Sequence, residues 1–305
     1  MQYYVGCSGW SYSAWQGPFY PVNLVSSKWL PYYANVFDYV EIDSSFYRTP
    51  NLFMVKNWYK KTPDNFRFTA KFPKSITHDK RLVGAHKELE YFFKSISGLD
   101  NKILALLIQL PPSLKITEGI QGLKQIIPEL DNRFRYAVEV RDRSWFQDLA
   151  YNFFANNKLC MVWSQLAEIK TPPVVTTDFL YLRLIGDRSI NEKDFGKIQK
   201  DRVAEMRRWA KKLRRVVVEE ETERGVVQKE KEERNGGRDP KLAIVSANNH
   251  YAGFGPGTAN VFRKMIGLPE ATWKEKDKSE HSVVDSNNKI RQNSEGQSTL
   301  PDFMK

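Results

Sequence analysis

Four β-rich runs in this chain carry charged side chains at alternate positions, where a strand covered on both faces would be apolar throughout. In VEIDSSFYR, Val40 and Ile42 alternate with Glu41 and Asp43; in FRFTAKFP, Phe66, Phe68, Ala70 and Phe72 alternate with Arg67, Thr69 and Lys71. In YAVEVRDRSWF, Val138 and Val140 alternate with Glu139 and Arg141, and in YLRLIGDRS, Leu182 and Leu184 flank Arg183. Successive strand residues point to opposite faces, so if the apolar set meets covering helices, the charged set points to a shared interior. Taking an ion out of water costs several kcal/mol unless a partner compensates it. Such an interior is either a salt-bridge network low in the fold or a site at its C-terminal mouth, where Asp43, Lys71, Arg141 and Arg183 end their strands. The second reading is favoured, because the loops at the same rim are rich in reactive side chains.

Those loops supply Trp10 after the first run, Tyr47 after the second and His78 after the third, then Gln109 at the end of the fourth and Asp142 and Trp145 after the fifth. ANNHYAGFGPGTAN adds Asn248, Asn249, His250 and Tyr251, then Gly255 in a glycine-rich turn entering a helix. A helix N-terminus of this kind is a ready anion site, and the last loops of a barrel commonly bind phosphate; a tight turn explains the glycines equally well. With Lys71, Arg141 and Arg183 added, the set favours an anionic ligand. Glu41, Asp43, Glu139 and Asp142, with His78 and His250, form an oxygen-rich donor set suited to Mg²⁺ or Mn²⁺. A metal-free alternative uses a carboxylate or His250 as general base and the arginines as phosphate clamps. Trp10, Tyr47, Trp145 and Tyr251 are candidates to stack on an exposed base.

A scaffold must bring these strand ends together. Strand patterns fall at 3–8, 38–43, 66–72, 102–109, 135–141, 158–163, 179–185 and 241–247, and helical patterns at 27–37, 51–61, 84–97, 119–127, 146–156, 194–215 and 258–266. Eight strands alternating with seven helical patterns approach the inventory of an α/β (β/α)₈ TIM-like barrel of about 250 residues, in which each strand is followed by a helix. A doubly wound open sheet is the alternative. With 41% hydrophobic residues among 305, a large core is available and wholesale disorder is excluded. No apolar run approaches the roughly 20 residues that span a bilayer, and the N-terminus shows no basic leader, so no membrane association or export is expected. Cys7 and Cys160, without a C-x-x-C partner, exclude a disulfide framework and fit reduced thiols in the cytoplasm.

The formal net charge is +11, and residues 274–305 hold six charges of each sign, so the excess belongs to the barrel, residues 1–273. Its most basic segment is the pattern at 194–215, with nine cations against three acids. Residues 219–239 form a charge-dense insertion expected to be solvated, and residues 274–296 read as a flexible, disordered linker.

GCSGWSY with Trp15, Gly17 and FYP, then VEIDSSFYRTP, FTAKFPKSITH, QLPPS, AVEVRDRSWF, YLRLIGDR and NNHYAGFGPGTAN, resemble domain of unknown function 72, the YecE-like family, from about Gly6 to Pro269. The resemblance implies a TIM-like barrel related in shape to the endonuclease IV and xylose isomerase group. The zinc-binding histidine and carboxylate set of endonuclease IV has no evident counterpart in this sequence, and the insertion 219–239 departs from the family pattern.

Residues 297–305, QSTLPDFMK, resemble a PCNA-interacting peptide (a PIP box): Gln297, Leu300, Phe303 and Met304 stand in its order, with Met304 in place of the second aromatic residue. One helical turn would bring Leu300, Phe303 and Met304 onto one face as an apolar plug. The expectation is a DNA-metabolism protein recruited to a PCNA-type sliding clamp, a phosphodiester-cleaving nuclease or repair enzyme whose basic body meets DNA. A non-catalytic adaptor for nucleic acid or a phosphate ligand, and a sugar-phosphate enzyme, are the alternatives.

Overall fold

Alternating side chains build nine parallel strands in the computed structural model, which describes residues 1–218 and 238–273. They are β1 (Gln2–Ser8), β2 (Tyr39–Ile42), β3 (Arg67–Lys71), β4 (Ile103–Gln109), β5 (Tyr136–Glu139), β6 (Leu159–Met161), β7 (Trp163–Leu166), β8 (Phe179–Gly186) and β9 (Leu242–Ala247). The order in the sheet is β6-β5-β4-β3-β2-β1-β9-β8-β7. Its two edges are consecutive pieces of chain: β6 pairs with β5, β7 pairs with β8, and only Val162 separates them. The sheet therefore curls into a nearly closed, TIM-like barrel rather than an open doubly wound sheet. The sixth expected strand, 158–163, is the one that breaks in two, turning from one neighbour to the other.

Two further departures from the expected rhythm have local causes. Residues 167–178 return to β8 without a helix, since Pro172 and Pro173 lack helix-forming N–H groups and Thr171 is tied back to the Ser164 carbonyl. The basic helix begins at Val203, not 194, because the chain before it is bonded to the loop after β9: the Gln199 N–H donates to the Ala252 carbonyl at 2.7 Å. Asp201 Oδ1 then accepts the Val203 N–H at 2.9 Å and starts the helix.

The helices are α1 (Trp29–Val36), α2 (Leu52–Lys60), α3 (His86–Ile96), α4 (Ile116–Ile126), α5 (Asp148–Asn156), α6 (Val203–Val218), α7 (Asn249–Ala252) and α8 (Gly255–Met265). They cover the outward parity of the strands, where Ile42, Phe68, Ala70, Val138, Leu182 and Leu184 are fully buried. Burying such a side chain contributes about 1.5–3 kcal/mol. Inside the barrel, Tyr4, Leu104, Phe179, Leu242 and Ile244 belong to a second apolar cluster, and the polar residues of the same parity lie further along the strands. The insertion 219–239, apart from Arg238 and Asp239, lies outside the described residues. So do the linker 274–296 and the peptide 297–305 with Gln297, Leu300, Phe303 and Met304.

Candidate active site at the mouth of the barrel

Strand parity delivers three acids and three bases to one end of the interior: Glu41, Asp43 and Glu139, with Lys71, Arg141 and Arg183. Arg183 joins them. Its Nε and Nη2 donate to the two Glu41 oxygens at 2.9 and 2.5 Å, and its Nη1 donates to Glu139 Oε2. Glu139 Oε1 accepts from Arg141 Nε at 2.7 Å, and Arg141 Nη2 reaches Gln109 Oε1 at 2.8 Å. Lys71 Nζ donates to Asp43 Oδ1 at 3.2 Å and lies 3.8 Å from the centre of the Phe46 ring. Beneath the ions, the Tyr181 hydroxyl donates to Glu41 Oε2 at 2.5 Å, and the hydroxyls of Tyr181, Tyr39 and Thr69 bond one another within 3.0 Å.

The deep network and the mouth site are thus two halves of one structure. Glu41 and Glu139 are buried on either side of Arg183 and bonded to it through charge-assisted hydrogen bonds, which offset their desolvation. Asp43, Lys71, Gln109 and Arg141 form the upper half and, with Arg183 reaching up from below, line a cavity of about 300 Å³. Its walls include Trp10, Tyr12, Tyr47 and Phe195, and its rim Arg188, Glu192, Asn248 and His250. That volume lies at the small end of ligand pockets, roughly 300–1,000 Å³. Gly186 makes the closure possible: its φ is +82°, and a Cβ there would lie 2.3 Å from the His250 carbonyl oxygen.

The titrating groups are tuned by this packing. Burial pushes the Asp43 carboxyl up, but Lys71 and Arg183 outweigh it and hold the acid below its ordinary value. Glu139 behaves likewise: burial opposes ionisation, yet Arg183 and Arg141 pull its pKa down to about 2. Burial lowers the Lys71 ammonium against the opposing pull of Asp43. Burial, then Arg188, lowers His250, leaving a neutral imidazole at neutral pH.

Other residues expected at the site are elsewhere. Trp145 is fully buried, donating its indole N–H to the Leu114 carbonyl at 2.9 Å and stacking on Phe154, so it offers no face to a base. Tyr251 is equally buried, its hydroxyl 3.2 Å from Glu205 Oε2. Asn249 Oδ1 accepts from Trp15 Nε1 at 3.0 Å and from the Gly255 N–H at 2.8 Å, which takes that N–H away from any anion. Asp142 accepts the Ser144 N–H at 2.8 Å, a turn cap outside the cavity. His78 also lies outside the lining, bonded to Thr77 Oγ1 at 2.9 Å and packed edge-on to Phe46; burial, then Lys71, lowers its pKa to about 4. Conversely, Arg188, Glu192 and Phe195 belong to the loop after β8, to which no site residue was assigned from the sequence. Thr69 was expected inside, whereas Tyr39 and Tyr181 were missed, although Tyr181 shares the inward parity of Arg183.

Among the described residues, no three of His, Cys, Asp and Glu converge as a metal-ligand set. Glu41, Asp43 and Glu139 are each bonded to a cation, so the expected Mg²⁺ or Mn²⁺ donor set does not fit this geometry and no step is derived through a metal.

The family model "Protein of unknown function DUF72" matches residues 4–282. The chain belongs to the DUF72 family. Among DUF72 relatives, UPF0759 protein YecE of Escherichia coli K12 is 32% identical over 143 residues, which is 47% of this chain and 50% of YecE. UPF0759 protein YunF of Bacillus subtilis is 30% identical over 155 residues, 48% of this chain and 54% of YunF. The chain thus spans about half the length of the curated relatives it matches. A DUF72 crystal structure from Thermotoga maritima, 26% identical, superposes with a TM-score of 0.65 over 87% of this chain and 99% of its own. One from Enterococcus faecalis, 19% identical, gives 0.65 over 90% and 100% and shows the fold alone. DUF72 membership names no activity, so function rests on the site. No described helix is long and apolar enough to cross a membrane.

Proposed function

We propose that the protein acts on nucleic acid, taking one nucleotide unit into the cavity at the barrel mouth and presenting its phosphodiester to Asp43 and His250. The observation behind this reading is that one 300 Å³ cavity combines aromatic faces, Trp10 and Tyr47, with cations that retain unused donors. Arg141 spends its Nε and one Nη2 proton within the network, and Lys71 spends one of three protons on Asp43, so Arg141 Nη1 and the rest of Lys71 are available for phosphate oxygens. His250, neutral near pH 7, is suited to accept a proton from water, and Lys71, lowered by burial, to give one to a leaving oxygen. The C-terminal peptide, through Gln297, Leu300, Phe303 and Met304, recruits the chain to a PCNA-type sliding clamp, which the order of its residues supports. The buried free thiols Cys7 and Cys160 support a cytoplasmic location.

A second reading, recognition without turnover, draws on the bonding of buried Glu41 and Glu139 to Arg183, with Glu139 also held by Arg141, which makes the lower half of the site a rigid plinth. Labelled single-stranded, branched and abasic DNA, incubated with Mg²⁺, Mn²⁺ or chelator and with or without the clamp, separates the two. Cleavage lost in His250→Gln with binding retained supports the enzyme; no cleavage of any substrate under every condition removes it. For the tail, a clamp pull-down unaffected by Leu300→Ala with Phe303→Ala removes the partner.

A further inference from the structure

Beside the cavity, the surface is unusually aromatic for one in contact with water. Tyr47 is 73% exposed and Phe53 82%, with Met54 at 45%. All three follow β2: Tyr47 lies in the rim loop, and Phe53 and Met54 lie in the first turn of α2, which Asn51 caps by accepting the Met54 N–H at 2.8 Å. The first turn of α2 follows the rim loop directly in the chain, and the Pro50 carbonyl just before it accepts the Ser95 hydroxyl near the end of α3. One turn on, at i+4 from Met54, the Trp58 ring meets the Trp10 ring edge-on at 5.3 Å. Trp10 lines the cavity. Ring and thioether surface therefore runs from the cavity wall onto the outside of α2.

The charge along this ledge is of one sign. Between Asp43 and Asp64 the chain has no acidic residue, and it places Arg48, Lys56, Lys60 and Lys61 there. Arg48 and Lys56 are exposed and flank the rings. An apolar peptide would gain nothing from the cations, and a rigid duplex hides its bases from the rings. A flexible polyanion with a flat face on every unit satisfies both features.

We infer that the ledge formed by Tyr47, Phe53, Met54 and Trp58 binds the unpaired bases of single-stranded nucleic acid, guiding one nucleotide into the adjoining cavity. Arg48 and Lys56 contact the phosphates between stacked bases. This inference rests on the nucleic-acid reading of the cavity and adds the substrate's form: single-stranded, with the flanking nucleotides held outside the barrel. Stacking is tolerant of base identity, so the ledge supplies affinity and path rather than sequence preference.

The test uses the full chain, a 5′-labelled thymidine 12-mer and its duplex with adenosine 12-mer, read by fluorescence anisotropy, with dAMP binding followed by calorimetry in parallel. Tyr47→Ala and Phe53→Ala remove solvent-exposed rings and leave the fold intact, which circular dichroism verifies. The single strand is expected to bind more tightly than the duplex, and each ring deletion to weaken it between about five- and a hundred-fold while dAMP binding by Phe53→Ala is unchanged. Quenching of tryptophan fluorescence by the oligonucleotide is expected from Trp10 and Trp58. Equal binding of strand and duplex, or ring variants that bind the strand as the parent does, overturns the ledge. If dAMP still binds in that case, the cavity reading survives alone; if neither dAMP nor any oligonucleotide binds, both fall. Capture by anionic vesicles in place of oligonucleotide, abolished in Phe53→Ala, assigns the ledge to a membrane surface and overturns the inference.

Discussion

Glu139→Gln isolates one charge in the network and predicts both a size and a pH dependence for its effect. Glu139 has no solvent exposure and bonds Arg141 Nε at 2.7 Å and Arg183 Nη1. Its pKa falls from an ordinary glutamate value near 4.5 to about 2, burial opposing the shift and Arg183 and Arg141 driving it. A shift of that size corresponds to about 3 kcal/mol of stability at neutral pH. Removing one partner of a buried ion pair typically costs about 3–5 kcal/mol, an independent route to the same figure. The folded-state value is the depressed one, so the contribution is complete above the unfolded value near 4.5. It is lost as pH falls toward about 2. Urea unfolding of parent and variant at pH 7 should therefore show a gap of about 3 kcal/mol that narrows as pH falls through 4 toward 2. A gap below about 1 kcal/mol at pH 7, or one that does not change with pH, would refute the claim that the network holds Glu139 as a paired carboxylate.

Tyr181→Phe removes the hydroxyl that donates to Glu41 and leaves both Arg183 bonds to that carboxylate in place; it should cost about 1.5–3 kcal/mol in thermal unfolding, and a variant as stable as the parent contradicts the hydroxyl layer's role. Arg188→Gln removes the cation that adds to burial in lowering His250 while leaving the burial itself, so the imidazole pKa, followed by NMR, should rise part of the way toward its ordinary value. An unchanged titration would mean that burial alone lowers it.

Much of the barrel was legible because the period of two is imposed by geometry. In VEIDSSFYR and FRFTAKFP the apolar parity predicted the helix-facing side, and the same rule put Glu41, Thr69 and Lys71 inside. What parity cannot see is how far along a strand solvent reaches. It grouped Glu41 and Glu139 with Asp43 and Arg141 as site residues, although two residues of strand separate a saturated, buried layer from an accessible one. Nor does composition distinguish a rim aromatic from one beneath the rim: Trp145 and Tyr251 follow strands just as Trp10 and Tyr47 do, but they are buried against Phe154 and beside Glu205. The break at Val162 was invisible because the apolar run 159–163, LCMVW, continues across it without a turn residue. The loop after β8 escaped notice because Arg188 and Glu192 stand in a polar run without periodicity.

The electroneutral floor and the basic body divide the work of recognition. Three acids offset three bases at the mouth, so the site has little long-range attraction of its own. The +11 charge of the chain lies outside that layer, with Arg207, Arg208, Lys211, Arg214 and Arg215 exposed along α6. Field lines from such a surface steer a polyanion at low ionic strength and fade beyond about 8 Å at physiological salt. Hydrogen bonds from Arg141 and Lys71 act at contact and are much less screened. Raising salt should therefore slow association of a nucleic acid more than it speeds dissociation, whereas dAMP, too small to span α6 and the mouth, should show a shallower salt dependence. Stopped-flow measurement of both rates at two ionic strengths decides it: an association rate insensitive to salt would mean that the basic body plays no part in capture.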